Sequence, residues 1–250
     1  MEEPTGFSDQ LLGIGVSSAV VALDDQTALK HPLIPSHNHA VATERRIFER
    51  LGDHPCIVRY IRPEGDGLIL ERLRYPLREH LKDLKEDDNQ LPRIDYIFRW
   101  AIQVLKGFQH LHSNSVLQFD VGCHNVLLDF DNNAKLSDFA GSRIDNEKVD
   151  VAPETRSTHP CLLRAQGGMN LEPTVGTEIF AIGSMLYEIS TTIKPYHDNE
   201  SHEVEDLFRK RLFPDTSALL LGDVIRKCWT DRYHNVNQII ADIQQISPER

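Results

Sequence analysis

Three oxygen-bearing side chains in the middle of the chain have the types and spacing that a divalent metal site needs. Asp120 and Asn125 stand five residues apart in segment 115–129, and Asp138 follows after an apolar run. Carboxylate and amide oxygens suit Mg²⁺, which is a hard cation. If Asn125 and Asp138 hold the metal, Asp120 can accept a proton from an attacking hydroxyl, as phosphoryl transfer requires. Each residue alone is more typical of a turn or a cap.

The N-terminal part contains residue types that contact phosphate groups in other proteins. Gly13 and Gly15 have no side chain, so backbone N–H groups beside them can approach phosphate oxygens closely. Ser18 stands where a third glycine is expected, and alone this segment is more typical of an ordinary hairpin. Lys30 ends the next predicted strand, and Glu44 lies in the following predicted helix. An ion pair between them would aim the ammonium group at the α- and β-phosphates of a nucleotide.

Apolar periodicity predicts the elements that must position these side chains. Short apolar runs bounded by turn residues predict strands over 11–23, 27–30, 57–61 and 68–70. Helical spacing predicts a helix over 39–51, with Gly52 as its stop. After Leu73 the pattern becomes helical, and Leu91-Pro92 opens a helix that continues to Leu111. Further helices are predicted over 178–192, 203–211, 222–229 and 235–246, and segment 141–175 is predicted to be a long loop.

Composition and charge limit the classes of partner. The 250 residues are 40% hydrophobic and 26% charged, which is ordinary for a globular protein. A formal net charge of −11 argues against broad contact with a nucleic-acid backbone, and no apolar run reaches membrane-spanning length. The four cysteines form no paired metal spacing, and the N-terminus carries no secretory pattern. We therefore expect no nucleic-acid or membrane partner, and a cytoplasmic location with the nucleus as the alternative.

Taken in order, these motifs resemble those of the eukaryotic protein kinase family over essentially the whole chain. The Asp120-x-x-x-His124-Asn125 loop and the Asp138-Phe139-Ala140-Gly141 segment are most similar to the compact, divergent kinase-like proteins of fungi. The resemblance implies an α+β, bilobal protein kinase-like fold that forms a single domain over 1–250. Its parts would be a small β-rich N-lobe of about 1–73, a hinge of about 71–76 and a larger helical C-lobe of about 77–250.

The same resemblance assigns roles to individual residues. Lys30 and Glu44 would position the nucleotide, Asp120 would be the catalytic base, and the cofactors would be ATP and Mg²⁺. Asn125 and Asp138 would be the metal ligands. Leu70 would be the gatekeeper, the hinge would bind adenine through its backbone, and segment 177–183 would begin the central helix of the C-lobe. The residues implied in cofactor binding are Gly13, Gly15, Val20, Ala28, Lys30, Glu71 and Leu73.

Several positions depart from the family pattern. Gln118-Phe119 replaces His-Arg before the base, so switching by activation-loop phosphorylation is not expected. Gly122 replaces a Lys that normally helps to neutralise the transferring phosphoryl group, and its loss is expected to slow the chemistry. The remaining departures are Ala140 for Gly, Glu178 for Asp, and an Ala152-Pro153-Glu154 motif that follows Asp138 too soon.

The leading hypothesis is an ATP-dependent protein kinase that transfers the γ-phosphoryl group to a Ser or Thr hydroxyl of an unknown protein substrate. Ser/Thr is a family default here, because Gly122 and His124 fit neither the Ser/Thr nor the Tyr pattern. The alternative is a pseudokinase, a binding or scaffolding module with weak or no phosphoryl transfer. A small-molecule kinase on the same fold is a third reading, and the oligomeric state is left open.

Overall fold

A five-stranded antiparallel sheet forms the N-terminal part of the molecule. The structure is a computed structural model, and it describes residues 10–87, 90–145, 154–163 and 172–247. Its strands are β1 (Leu11–Ile14), β2 (Ser18–Ala22), β3 (Thr27–Pro32), β4 (Tyr60–Glu64) and β5 (Gly67–Glu71). Their order in the sheet is β1-β2-β3-β5-β4. The first predicted strand, 11–23, is therefore two strands, because the glycine-rich segment turns the chain back on itself.

Strand β5 lies between β3 and β4, and its apolar run is buried. The register places Lys30 of β3 opposite Leu68 of β5. At the neighbouring Gly67, an added Cβ would lie 2.6 Å from the backbone oxygen of Lys30. A glycine is therefore required at position 67 for β5 to approach β3 beside Lys30.

Helix α1 (Asn38–Leu51) packs against the sheet through one apolar face. It ends at Gly52, whose φ of 62° lies in the left-handed region that favours glycine. The helix and its stop agree with the predicted 39–51. Glu44 lies on the buried face, where a charged residue needs a partner.

The C-terminal part is mainly helical. Its helices are α2 (Leu77–Glu86), α3 (Ile94–Ser113), α4 (Val175–Thr191), α5 (Ser201–Arg209), α6 (Gly222–Trp229) and α7 (Val236–Ile246). Helix α4 is the central one: it packs against α3 and α6, and nearly all of its side chains are buried. The expected α+β, bilobal architecture is confirmed. Within the described ranges, no helix is both long and apolar enough to cross a lipid bilayer.

Short strands position the loops between the sheet and the helices. They are β6 (Tyr75–Pro76), β7 (Val116–Leu117), β8 (Val126–Leu128), β9 (Ala134–Leu136) and β10 (Arg143–Ile144). Strands β6, β8 and β9 form one small sheet, and β7 pairs with β10. The loop from Gln118 to Asn125 is therefore held between β7 and β8, and Asp138 follows β9. The three candidate metal and base residues thus lie at the ends of paired strands.

Some predicted boundaries are wrong. The strand predicted over 57–61 begins at Tyr60, because Ile57 forms a parallel bridge with Leu136 instead of joining the large sheet. Helix α3 begins at Ile94, and α4 begins at Val175, three residues before its predicted start. The predicted loop over 141–175 contains β10 and a short 3₁₀ turn at Thr155–Ser157 among its described residues.

Candidate active site

A cleft of about 450 Å³ lies between the glycine-rich hairpin, the inner face of the sheet and the loops that follow β7 and β9. This volume lies within the range of small-molecule pockets. The cleft is lined by every residue that the sequence assigned to it: Gly13, Gly15, Val20, Ala28, Lys30, Glu44, Leu70, Glu71, Leu73, Asp120, Asn125 and Asp138.

Three charged side chains meet at the inner end of the cleft. Lys30 Nζ lies 2.7 Å from Glu44 Oε2 and 2.8 Å from Asp138 Oδ1. The Lys30 and Glu44 side chains are 5% and 0% exposed, whereas the Asp138 side chain is 47% exposed. The predicted ion pair across the sheet and α1 therefore forms, and it also includes Asp138.

The carboxylates keep the Lys30 ammonium charged despite its burial. Burial alone lowers the pKa of Lys30, but Glu44 and Asp138 outweigh it and raise the pKa well above the usual lysine value. Burial also opposes ionisation of Asp138, yet the Lys30 ammonium holds the pKa of this carboxyl below its usual range. One cation is thus shared by two carboxylates, and the Asp138 carboxylate is half exposed to the cleft.

Phe139 contacts both Glu44 and helix α1, and so holds the Lys30–Glu44–Asp138 cluster in place. Its backbone N–H donates to Glu44 Oε1 at 3.0 Å, and its ring is fully buried. The ring packs edge-on against Phe48 of α1, with 5.2 Å between centroids. Asp138 itself has a φ of 58°, an uncommon value that these contacts maintain. Helix α1 is therefore held inward by the same segment that presents Asp138.

The donor chemistry of Asn125 and Asp138 suits a magnesium ion. The Asn125 amide Nδ2 donates to the backbone oxygen of Asp120 at 2.8 Å and to Asp120 Oδ2 at 3.2 Å. These bonds assign the amide orientation and leave Asn125 Oδ1 as the available oxygen. In the part of the chain that the structure describes, no group of three His, Cys, Asp or Glu side chains could hold a metal. Two protein oxygens are nevertheless enough for Mg²⁺, which keeps waters and phosphate oxygens as further ligands.

Gln118 and Phe119, which replace the family's His-Arg, anchor the loop from Gln118 to Asn125 through contacts of their own. The buried Gln118 donates from Nε2 to the Ser137 backbone oxygen at 2.8 Å, and its own backbone oxygen accepts from Ser142 Oγ at 3.0 Å. Phe119 has a φ of 71°, and its N–H donates to Glu178 Oε1 at 3.0 Å. Glu178 also bonds to His112. The replacement of Asp by Glu at the start of α4 therefore leaves the loop tied to the central helix.

The segment before α4 is held by ion pairs centred on Glu154. This residue pairs with Arg78 of α2 at 3.3 Å and also with Lys194. Arg78 in turn binds Glu188 of α4 at 2.6 Å. Ala152 and Pro153, the other residues of the early Ala-Pro-Glu motif, lie outside the described residues. Glu154 thus has two cationic partners where the sequence reasoning assigned it none.

Among the residues that line the cleft without having been assigned to it from the sequence are His124 and Leu127. Leu127 belongs to β8 and lines the cleft together with Val20 and Ala28, which the sequence did assign. His124 Nε2 lies 3.0 Å from Asp120 Oδ2. No periodicity in the sequence signalled this contact, because it forms where the chain leaves Asp120 and turns through the short 3₁₀ segment at Cys123–Asn125.

Comparison with known proteins identifies the family. The protein kinase domain model matches residues 9–249. The chain is 30% identical over 203 residues to serine/threonine-protein kinase Nek5 of Mus musculus, covering 78% of this chain and 32% of Nek5. It is 31% identical over 218 residues to the probable serine/threonine-protein kinase PBL28 of Arabidopsis thaliana, covering 76% of this chain and 56% of that protein. The match spans less than two thirds of either relative. Because the family model covers nearly the whole chain, we conclude that this protein belongs to the protein kinase domain family.

Proposed function

We propose that the chain is an ATP- and Mg²⁺-dependent protein kinase that transfers the γ-phosphoryl group to a protein Ser or Thr hydroxyl. The observation that carries this proposal is the contact of Lys30 Nζ with both Glu44 and Asp138 at 2.7 and 2.8 Å. A buried ammonium held this way points into the cleft without further rearrangement. The Ser/Thr preference is supported by the printed names of the relatives, Nek5 and PBL28.

In this proposal the N-terminal sheet holds the nucleotide. The adenine would lie between Val20 and Ala28 above and Leu127 below, and would bond to the backbone of hinge residues Glu71 and Leu73. Lys30 would bind the α- and β-phosphates, and the backbone at Gly13 and Gly15 would cover them. An added Cβ at Gly13 would meet nothing within 4 Å, so no other side chain fills the space beside this residue.

Asn125 and Asp138 would hold the magnesium ion, which when bound neutralises phosphate charge. Asp120 would accept the proton of the substrate hydroxyl as it attacks. Positioning and charge stabilisation carry most of the barrier reduction in such a transfer, so the fixed geometry of these side chains matters more than their reactivity.

We also propose the division of the chain into an N-lobe of about 1–73, a hinge of about 71–76 and a C-lobe of about 77–250, with the whole as a single domain. Support comes from strand β5 ending at Glu71 and strand β6 at Tyr75–Pro76 pairing with β8 instead of the large sheet. A cytoplasmic location, with the nucleus as the alternative, is part of the same proposal.

The test is a phosphoryl-transfer assay with Mg²⁺-ATP and generic protein substrates. Asp138→Ala should abolish the signal, because it removes a metal ligand and one partner of Lys30. Asp223→Ala is the matched control, since Asp223 is 86% exposed on α6 and should leave activity unchanged. Equal signals from the unaltered protein and Asp138→Ala would refute the proposal.

A pseudokinase is the second candidate, and Gly122 favours it because the usual catalytic Lys is missing. This candidate predicts nucleotide binding with little transfer. At 100 times its Kd, a ligand of the native state raises stability by about 2.7 kcal/mol, which thermal unfolding detects. A shift with Mg²⁺-ATP but no activity would establish the pseudokinase, and the absence of both would leave a scaffolding role.

A further inference from the structure

The imidazole of His124 occupies the space that the missing Lys side chain would need. An added Cβ at Gly122 would lie 2.6 Å from His124 Nδ1 and 2.7 Å from Cε1. Real Cβ atoms do not approach other atoms this closely, so a side chain at 122 and the observed ring position exclude each other. The backbone at Gly122 is extended, with a φ of 177°, so its conformation does not demand glycine. The absence of a side chain there is explained by the ring.

The ring is bonded to the proposed base. His124 Nε2 lies 3.0 Å from Asp120 Oδ2, and a carboxylate only accepts, so Nε2 carries the proton of this bond. Nδ1 is buried, and it has no hydrogen-bond partner in the part of the chain that is described. A histidine serving the fold alone would be expected to satisfy this nitrogen. The bond to Asp120 is therefore the polar contact that accounts for the ring's position.

Two donors converge on the same oxygen of Asp120. Asn125 Nδ2 lies 3.2 Å from Oδ2, the atom that His124 also contacts. Among the described residues, nothing donates a hydrogen bond to Asp120 Oδ1. The pair of donors therefore fixes the rotation of the carboxylate and leaves Oδ1 to face an incoming hydroxyl.

Arg78 is the other cation close to Gly122, but it is engaged elsewhere. Its Nη2 lies 3.2 Å from the position of an added Cβ at Gly122. Its guanidinium is held by Glu188 at 2.6 and 2.9 Å and by Glu154 at 3.3 Å. Because the Arg78 guanidinium is bonded to two carboxylates, it is not free to bind the base or a phosphate.

We propose that His124 is a positioning residue for the phosphoryl transfer, acting through Asp120 from the space that a side chain at position 122 would need. The inference rests on the proposed function, because it assigns a role within that reaction. Holding Asp120 matters because misplacing a reacting group by a fraction of an ångström slows a reaction that depends on alignment.

Steady-state kinetics provide the first test. His124→Ala should lower kcat by about 10- to 100-fold, while KM for ATP stays within about twofold, because the ring contacts the base and not the nucleotide-positioning Lys30. His124→Gln retains an N–H donor at a similar reach and should recover part of the loss. His202→Ala, on the exposed face of α5, is the control and should match the unaltered protein. An unchanged kcat in His124→Ala would overturn the inference.

A double-mutant cycle tests whether a side chain at position 122 and the His124 ring compete for the same space. Gly122→Ala should lower kcat about as much as His124→Ala, because the new methyl group displaces the ring. Adding Gly122→Ala to His124→Ala should lower kcat little further, since no ring remains to be displaced and the one other close contact of the new methyl group is with Arg78 Nη2 at 3.2 Å. Additive losses would show that Gly122 acts independently of His124 and would contradict the shared-space argument.

A spectroscopic measurement separates this inference from the proposed function. If the unaltered protein shows no more transfer than Asp138→Ala, the proposed function has failed and kinetics cannot report on His124. Long-range ¹⁵N NMR of the imidazole groups still can, because Asp120→Asn should move the His124 Nε2 resonance while leaving that of His202 in place. An unmoved His124 resonance would overturn the inference whether or not the protein is active.

Discussion

At the residue scale, Lys30 is a charged side chain in a buried position, and its partners determine what removing it costs. Glu44 is 0% exposed and cannot turn to solvent, whereas Asp138 is half exposed. Without Lys30, Glu44 would be left as an unpaired buried carboxylate. Breaking a buried pair from one side typically costs about 3–5 kcal/mol.

We therefore expect Lys30→Met to lower the free energy of unfolding by about 3–5 kcal/mol and to abolish stabilisation by Mg²⁺-ATP. Lys30→Met/Glu44→Gln should recover much of the stability, because the amide keeps an oxygen for the Phe139 N–H but carries no charge. The double variant should still not respond to ATP. Urea unfolding with and without nucleotide measures both effects, and equal stability of the single and double variants would contradict this account.

At the element scale, the contact of α4 with α6 depends on Gly183. An added Cβ there would lie 2.7 Å from Cβ of Cys228 and 3.2 Å from the Trp229 ring. Both of these residues are fully buried, so neither has room to move aside. Gly183 lets the two helices approach closely in the middle of the C-terminal core.

Gly183→Ala should destabilise the protein by about 1–3 kcal/mol, as overpacking of a core does. Gly176→Ala lies on the same helix at an exposed position, where an added Cβ meets only Thr174 Oγ1 at 3.6 Å. This control should be neutral or stabilising by up to about 1 kcal/mol, because alanine favours the helix. Thermal unfolding measures the stability of both variants. Equal changes in stability would show that α4 and α6 can move apart to accommodate the new methyl group at little cost.

Element types were largely predictable from the sequence, but their ends were less so. Helix α6 was predicted at its observed bounds, because its apolar face is periodic and compact. Helix α4 starts earlier than predicted because Thr174 and Thr177 form a capping box, whereas hydroxyl residues in this segment had suggested a loop. Asn235, predicted inside α7, is instead its N-cap, with its side chain accepting from the Gln238 N–H.

Site residues were predictable where the spacing of the family's motifs identifies them. Contacts that depend on the direction of a side chain were not predictable. The ion pair of Lys30 and Glu44 was predicted from the order of these residues along the chain, and in the structure Asp138 joins it. The contact between His124 and Asp120 depends on a 3₁₀ turn and on space left at Gly122, neither of which periodicity reveals. Spacing therefore identifies which residues share a cleft but not which atoms touch.

At the scale of the whole molecule, the partly buried His54 and His80 and the buried His159 link stability to pH. Burial lowers the pKa of His54, which stacks on His110, and of His80, which packs against Trp100. Burial also lowers the pKa of His159, although Asp231 opposes it. All three favour the neutral imidazole in the folded state. They lie in the connection between α1 and β4, in α2, and in the segment before α4, so the effect is spread over the molecule.

The direction of the change in stability with pH follows from which state, folded or unfolded, binds protons first on acidification. Unfolded histidines have a pKa of about 6.5, so on acidification the unfolded chain takes up protons before these three folded groups do. Stability should therefore fall as the pH drops through about 6.5 and level off once the folded imidazoles are also protonated. Urea unfolding between about pH 7.5 and 5.5 should show this slope, and replacing His54, His80 and His159 with Gln should flatten it.

His202→Gln, at an exposed site, should leave the slope unchanged. The buried Glu44, whose pKa burial raises, acts in the opposite direction but is common to all variants, so it cancels in the comparison. A triple variant with the slope of the unaltered protein would assign the pH dependence to other groups.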